Sequence, residues 1–217
     1  MSKVTPFSPW HRLMPMLIFA MILLPQASGA VSLEVKQKNG DPAVGVVVLL
    51  NNEAATGANT SKAEMGQRER QFDPHVLVVQ KGSTVSFPNY DDIKHHIYSF
   101  SSVKTFEQEL YEGTESTPVT FEKAGIVELG CNVHDWMLGY IYIAETPFFG
   151  MTDEQGQVNI GNAPAGDYEV TVWHPRMENV SHRFTAHTRI AQTALITLDS
   201  NVAEAAETDF DLDFDDY

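Results

Sequence analysis

One β-branched run, Ile126-Val127-Glu128-Leu129, leads directly into Gly130-Cys131-Asn132-Val133-His134-Asp135-Trp136-Met137, and a second apolar run, 138–144, leads out again. Cys131 is the only cysteine in 217 residues. A thiol, an imidazole and a thioether therefore stand at Cys-x2-His-x2-Met spacing between two segments that read as strands. A strand that ends on the cysteine, a turn that doubles back and a strand that re-enters the sheet would aim His134 and Met137 at the point where the thiol lies. A chain built this way must fold as paired strands around that point, with any further donor brought in from a neighbouring loop.

The rest of the body agrees with that demand. Val31-Ser32-Leu33-Glu34-Val35 alternates apolar and polar side chains, 38–41 is a turn, and 44–50 is a second β-branched run. Segments 75–79, 84–87, 119–121, 157–160, 168–173 and 184–198 have the same character. Residues 51–70 are small and polar and read as a loop, and 104–112 has the make-up of a short helix. Short strands at this spacing, with no sustained helical period, predict an all-β protein of sandwiches or barrels.

Residues 1–30 read as a leader rather than as fold. Lys3, His11 and Arg12 precede an uncharged apolar run over 13–24, and Ala27-Ser28-Gly29-Ala30 supplies the small residues of a cleavage site. The run is short for a membrane span, which takes about 20 apolar residues, so the expectation is an exported, periplasmic protein with no membrane anchor after cleavage. Export sharpens the meaning of Cys131. Exported cysteines normally pair, and a lone one is an inert buried thiol, half of an intermolecular disulfide or a metal ligand. His and Met at +3 and +6 favour the ligand.

The formal charge is −15, and because the leader holds two cations and no acid, the remainder carries −17. That excess argues against nucleic acid and for a partner with a basic docking face. Part of it is local: 201–217 holds Glu204, Glu207, Asp209, Asp211, Asp213, Asp215 and Asp216 without a base, and reads as a disordered acidic tail.

Thiolate and thioether suit Cu(I) and imidazole suits both copper oxidation states, so Cys131, His134 and Met137 are three of the four donors of a site with two His, one Cys and a weak axial Met. The fourth is expected from His95 or His96. Structural zinc normally uses two ligand pairs in a closed tetrahedron, which one thiol and a methionine do not supply. His75, His174, His182 and His187 read as ordinary surface or core residues, and nothing beyond its type recommends Met65 as a ligand.

Val85-x-Phe87-x-Asn89-x-Asp91 with His95, followed by Gly125-x-Val127-x3-Cys131-x2-His134, resembles the cupredoxin family of blue-copper proteins. The short Cys-x2-His-x2-Met loop is more similar to amicyanin than to plastocyanin. The block 72–143 resembles periplasmic plastocyanin-like proteins of the methylamine-utilisation type. The resemblance implies a Greek-key β-sandwich holding one copper ion, and one-electron exchange with a redox protein such as a c-type cytochrome or a dehydrogenase. It also implies His95 as the first ligand, with His96 as the alternative. The family commonly has Asn after that ligand, and His96 stands there instead.

Thr152-Asp153-Glu154-Gln155-Gly156-Gln157-Val158-Asn159-Ile160 and Pro164-Ala165-Gly166-Asp167-Tyr168-Glu169-Val170 resemble a second family, the carboxypeptidase-regulatory-like β-sandwich, whose usual opening is matched by 31–35, Gly40-Asp41-Pro42 and 44–50. Two layouts follow. In the preferred one, 31–61 and 146–200 form that sandwich, split by insertion of a copper domain over 62–145. In the other, a cupredoxin over 31–145 is followed in tandem by 146–200.

The expectation is a carrier rather than an enzyme, because four protein donors leave no open position. Three other readings remain open: a copper storage or delivery protein, an open-site red copper enzyme if Met137 does not ligate, and a surface protein whose metal site is vestigial. Trp136 either fills space or joins Leu138 and Tyr90 in an apolar patch beside His134, the kind of surface that weak redox encounters use.

Overall fold

In the computed structural model, which describes residues 29–53, 55, 57 and 60–204, every regular element is a strand. The chain opens with β1 (Val31–Lys36) and β2 (Val47–Asn51). Next come β3 (Lys62–Glu64), β4 (Gly66–Arg68), β5 (Gln71–Asp73), β6 (Val76–Gln80), β7 (Thr84–Ser86) and β8 (His95–Ser99). They are followed by β9 (Phe106–Tyr111), β10 (Val119–Thr120), β11 (Gly125–Cys131) and β12 (Leu138–Ala144). The last five are β13 (Phe149–Met151), β14 (Gln157–Ile160), β15 (Gly166–Trp173), β16 (Arg183–Ile190) and β17 (Thr193–Thr197). The proposed leader, apart from residues 29 and 30, and positions 205–217 of the acidic tail lie outside the described residues.

The strands assort into two sets. In one, β1 lies between β14 and β17, and β2 lies between β13 and β15, with β16 at the edge. Alternate residues of β1 (Val31, Leu33, Val35) meet Val48, Leu50, Val158, Ile160, Val170, Val172 and Ile196 in one apolar core between these two sheets. In the other set, a five-stranded sheet runs β6-β12-β11-β8-β9 and a three-stranded sheet runs β10-β7-β3, with β4 and β5 as a separate hairpin. The second core contains Phe72, Val85, Phe87, Ile97, Phe121, Val127, Leu129, Ile141 and Ile143 and reaches Cys131 and Met137. No strand of 31–51 pairs with a strand of 62–144 among the described residues; the partners of β1 and β2 all come from 149–197.

Two strands are apolar on both faces, and the contacts explain why. In β2, Val48 and Leu50 enter the first core while Val47 and Leu49 face outward. In β12, Ile141 and Ile143 enter the second core while Tyr142 and Ala144 face outward. The two outward faces meet each other, with Val76 and Trp173, in a third cluster. Trp173 lies 5.4 Å from Tyr142 and 5.9 Å from Tyr140 between ring centroids, and Arg183 Nη2 donates to Tyr142 Oη at 3.2 Å. A strand buried on both faces reads as a continuous hydrophobic run rather than an alternation, as 44–50 does.

Two sequence expectations are corrected here. Residues 104–112 hold no helix: 106–111 form β9, antiparallel to β8, with a register shift between His95 and Ile97. The spacing of Phe106, Leu110 and Tyr111 imitates a helical stripe because the irregularity interrupts the two-residue period. The stretch 51–70 is not loop throughout, since β3 pairs in parallel with β7 and β4 pairs with β5. The described start of the tail is tied down, with Val202 bridged to Met177 and Ala203 N donating to Arg176 O at 2.9 Å.

Candidate metal centre

β8 and β11 are antiparallel neighbours with Cys131 opposite Ile97. Residues two apart on a strand share a face, so His95 projects to the same side as Ile97 and Cys131, into the second core. After Cys131 the chain turns. Asn132 N donates to His96 O at 3.0 Å, which ties the loop to β8, and Met137 N donates to His134 O at 3.0 Å, which closes the turn before β12. Both imidazoles present Nδ1 to the thiol: His95 Nδ1 lies 3.6 Å and His134 Nδ1 3.7 Å from Cys131 Sγ. The three donor atoms are all within 4.8 Å of one another, and the two rings are 5.0 Å apart. His95 is fully buried, Cys131 and Met137 nearly so, and His134 keeps 8 % of its surface exposed.

The separations suit a metal ion. Bonds of about 2.0 Å to nitrogen and about 2.3 Å to sulfur, meeting at an angle near 120°, place the two atoms about 3.7 Å apart. With Met137 packed in the same apolar cluster as Cys131, the residues make one donor set of two imidazoles, a thiol and a thioether, which is the type 1 copper set.

His96, next in sequence, takes the other face of β8, where its Nε2 lies 2.7 Å from Glu107 Oε1. Met65 is wholly buried in the second core. His174, His182 and His187 lie apart from the centre with partners of their own: His174 Nδ1 accepts from Arg176 N, His182 Nδ1 is 2.8 Å from Met177 O, and His187 Nε2 is 3.7 Å from Glu169. His75 stands edge-on to Tyr140 at 5.6 Å.

The support around His95 is more elaborate than the sequence reading anticipated. Its Nε2 lies 2.8 Å from Asp91 Oδ2. Asp91 in turn accepts from Glu69 N (2.7 Å, to Oδ1) and Arg70 N (3.0 Å, to Oδ2). Those two residues form the turn of the β4–β5 hairpin with φ of 51° and 58°, a left-handed pair whose N–H groups point the same way. Burial alone would raise the Asp91 carboxyl, but the Arg70 N–H, the His95 imidazole and the Glu69 N–H outweigh it and hold the group below the usual carboxylate range. A carboxylate on the far nitrogen of a ligand histidine fixes the ring and its tautomer, leaving Nδ1 free for metal. Asn89 secures the same loop, accepting from Asp91 N and donating to Ile93 O and Tyr111 O. Asp91 and Asn89 were visible in the sequence as members of a pattern, but the hairpin N–H pair was not, because Glu69 and Arg70 carry no turn signature.

Burial, reinforced by His95 and Arg70 and opposed by Asp91, lowers the His134 pKa. The shift favours the neutral imidazole, the form that binds metal. The Tyr111 phenol is pushed up to about 12 by burial, with the Gln67 hydrogen bond working against the shift and Cys131 adding to it. The Trp136 ring lies 5.3 Å from that of His134, and Trp136, Val133, Leu138 and Tyr90 all face solvent. The Arg68 guanidinium sits 3.7 Å over the Tyr90 ring.

No family model and no curated protein matches the chain. Similar solved structures do exist. Amicyanin from Paracoccus versutus (Thiobacillus versutus) is 19% identical, with 45% of this chain and 97% of that chain covered and a TM-score of 0.35. A pseudoazurin from Sinorhizobium meliltoi is 23% identical, with 40% and 76% covered and a TM-score of 0.31. A copper-containing nitrite reductase from Thermus scotoductus SA-01 is 22% identical over 45% of this chain at a TM-score of 0.38; the match spans only 25% of that enzyme's length.

Proposed function

We propose that this chain is an exported blue-copper protein of the cupredoxin kind, which carries single electrons between periplasmic redox proteins. The observation that carries the reading is the buried triangle of His95 Nδ1, Cys131 Sγ and His134 Nδ1, with Met137 in the same cluster. Copper bound there would cycle between Cu(II) and Cu(I). The residues supply the rest. Cys131 gives the thiolate, and His95, locked through Asp91, gives a donor that does not move. His134 would give a second donor whose outer edge reaches solvent, and Met137 would give a soft thioether that tunes the potential. Donors held by hydrogen bonds and core packing rearrange little when the charge at their centre changes, which is what a carrier needs. The burial of Met137 and His95 favours a closed site, and so a carrier over an enzyme.

The leader motif over 13–30 supports a periplasmic location, and the charge of −17 on the remainder supports a partner with a basic face, such as a c-type cytochrome or a dehydrogenase. The layout we favour is the nested one, with 62–145 inserted into a sandwich made of 31–61 and 146–200; the exclusive pairing of β1 and β2 with strands after residue 148 supports it.

The deciding experiment loads the purified full-length protein with Cu(II) and records its visible and electron-spin spectra. An intense thiolate-to-copper band that bleaches reversibly on reduction, and is lost in Cys131→Ser, is the expected result. A colourless protein that prefers zinc would overturn the reading.

A further inference from the structure

The outward face of β12 is covered along most of its length and bare at one end. Ala144 and Tyr142 lie in the third cluster, Tyr140 packs against it, and Trp173 stands 5.9 Å from Tyr140. Leu138, the next residue on that face, is 40 % exposed. Two places earlier comes Trp136, 42 % exposed, with its ring 5.3 Å from that of His134. Beneath this bare end, cations stand without carboxylates. The His75 ring meets the Leu138 backbone, and the Arg176 guanidinium is close enough to His75 and His174 to depress the protonation of both. Among the described residues no carboxylate lies within ion-pair distance of any of the three, and Arg176 Nε is buried with no hydrogen-bond partner. A buried donor left unpaired is costly, and a carboxylate is the strongest partner for a guanidinium. Near the β4–β5 hairpin, by contrast, charge is already matched: Asp73 pairs with Arg68, and Glu64 accepts from the Tyr90 hydroxyl.

The chain's own tail leaves the fold beside this gap. Glu178 N donates to Asn201 O, Val202 is bridged to Met177, and Ala203 N donates to Arg176 O. The pairing is antiparallel. Each residue after 201 therefore steps back along 178–176, and the chain is directed toward His174 where the described residues end at Glu204. Residues 205–217 follow, with six carboxylates and no base. Phe210, Leu212 and Phe214 alternate there with Asp209, Asp211 and Asp213. In an extended chain alternate side chains share a face, so such a segment has one apolar and one acidic side. Thirteen residues, fully extended, reach about 43 Å, which is ample for a path from Arg176 past His75 to Leu138.

We propose that the acidic tail folds back as a strap: Glu207 and Asp209 meet Arg176 beside His75 and His174, and Phe210, Leu212 and Phe214 pack on Leu138 and Trp136, completing the cover of β12. Charge holds the near end. Apolar contact holds the far end, because Asp135, next to Trp136, has the sign of the tail. So few side chains suffice because the segment is tethered, and a short tether supplies an effective concentration in the millimolar range. The contact is argued from the fold and the charges alone. Its consequence rests on the copper-carrier reading: with the strap down, the solvent-reaching edge of His134 is shielded, and a redox partner must displace the tail to reach it. A strap that is down about four-fifths of the time cuts the open fraction, and so the rate of encounter at that edge, about fivefold.

Nitrogen-15-labelled, full-length, metal-free protein is compared with a variant truncated after Glu204 and with the full-length triple variant Phe210→Ser, Leu212→Ser, Phe214→Ser. Neither variant alters a described residue. Truncation should move the amide resonances of 75–76, 136–138 and 174–176 and the Trp136 indole N–H. The triple variant should move 136–138 and the indole in the same way and keep 174–176 where the parent has them. In the copper-loaded protein at about 0.15 M salt, electron self-exchange passes one electron from a reduced molecule to an oxidised one and is read from line broadening. It should be about fivefold faster in the triple variant, which has the parent's charge, with the visible band unchanged. Shifts on truncation that stay within 198–204, or that centre on another surface, overturn the strap, and equal exchange rates overturn the shielding. Shifts of 133–138 that follow protein concentration and survive truncation assign the patch to a second copy, which also overturns the strap. All of these leave the copper reading intact. A parent protein that never develops the thiolate band overturns the carrier reading and the shielding with it, while tail-dependent shifts at 136–138 would still establish the strap.

Discussion

The two cores of this molecule are built from the same material and put to different uses. The core of Val31, Leu33, Val48, Leu50, Val158, Val170 and Val172 is apolar but for the Tyr168 phenol, whose hydroxyl donates to Pro164 O. The core of Val127, Leu129, Ile97 and Ile141 gives up one end to Cys131 and Met137, beside the buried His95, His134, Asn89 and Gln67. Burying polar groups is costly unless each finds a partner, and here each does: His95 with Asp91, His134 with Cys131, Asn89 with Ile93 and Tyr111, Gln67 with Phe87 and Tyr111. One core therefore contributes stability alone, and the other trades part of its apolar interior for a preorganised set of donors. The most forceful way to break the comparison is a cavity in the first core. Leu50→Ala should destabilise the metal-free protein by about 2–5 kcal/mol in urea unfolding and leave the Cu(II) spectrum as it was. A shifted band would mean that the two cores are not mechanically separate.

Between the cores, the junction offers the next largest effect. His174 is almost fully buried beside Trp173, and burial, with Arg176 and then His75 adding to it, lowers its pKa to about 4. In the unfolded chain the same imidazole takes a proton near its ordinary value of about 6.5. As the pH falls from that value towards 4 the unfolded chain binds a proton that the folded one refuses, so stability falls by about 1.4 kcal/mol per unit; below 4 both states are protonated and this contribution levels off. Asn in place of His174 keeps an acceptor for the Arg176 N–H. His174→Asn should therefore flatten the stability curve between about pH 6.5 and 4 relative to the parent, by at most about 3 kcal/mol at the acid end. Carboxylates titrate in both proteins and cancel in the difference. Equal slopes would place the His174 pKa in the ordinary range.

How far the sequence foretold all this depends on what kind of contact each residue makes. Strands 138–144 and 157–160 were readable to the residue, because a buried face imposes its period on neighbouring positions. β9 was misread because it is an edge strand, paired only with β8 and irregular in register, so little burial disciplines its pattern. β3 and β4 were invisible because their three residues each hold place by backbone pairing and, in β4, by the buried amide of Gln67, to which Lys62, Glu64 and Arg68 give no clue. At the centre, the donors were legible as residue types at a spacing. The N–H pair of Glu69 and Arg70 was not, since any residue can offer an N–H and only the fold aims two of them at Asp91.

That hidden support sets the third prediction. Asp91→Asn puts an amide N–H2 either where Glu69 N now finds an oxygen or where Arg70 N and His95 Nε2 share one. The ring of His95 then loses its fixed tautomer or the hairpin loses its anchor. Copper affinity should fall about 10- to 100-fold, measured by competition with a chelator of known strength, while urea stability changes less than in Leu50→Ala. An unchanged affinity would make the Asp91 contact structural only, and would shift credit for positioning His95 to the core around Ile97.

The smallest effect belongs to the neighbour that looks identical in the sequence. His95 and His96 differ by one place on β8, and therefore by which side of the sheet they meet: one is wholly buried with Nδ1 on the thiol, the other is paired with a Glu107 side chain that is 63% exposed. Exposed pairs of that kind contribute about 0–1 kcal/mol. His96→Ala should thus leave the absorption band in place and cost no more than that in stability, whereas His95→Ala should abolish the band. Should the two variants lose the band equally, strand alternation would not be what selects the ligand. The His96 carbonyl, which accepts from Asn132 N whatever side chain is attached, would still tie the loop in both variants, so the comparison isolates the imidazoles themselves.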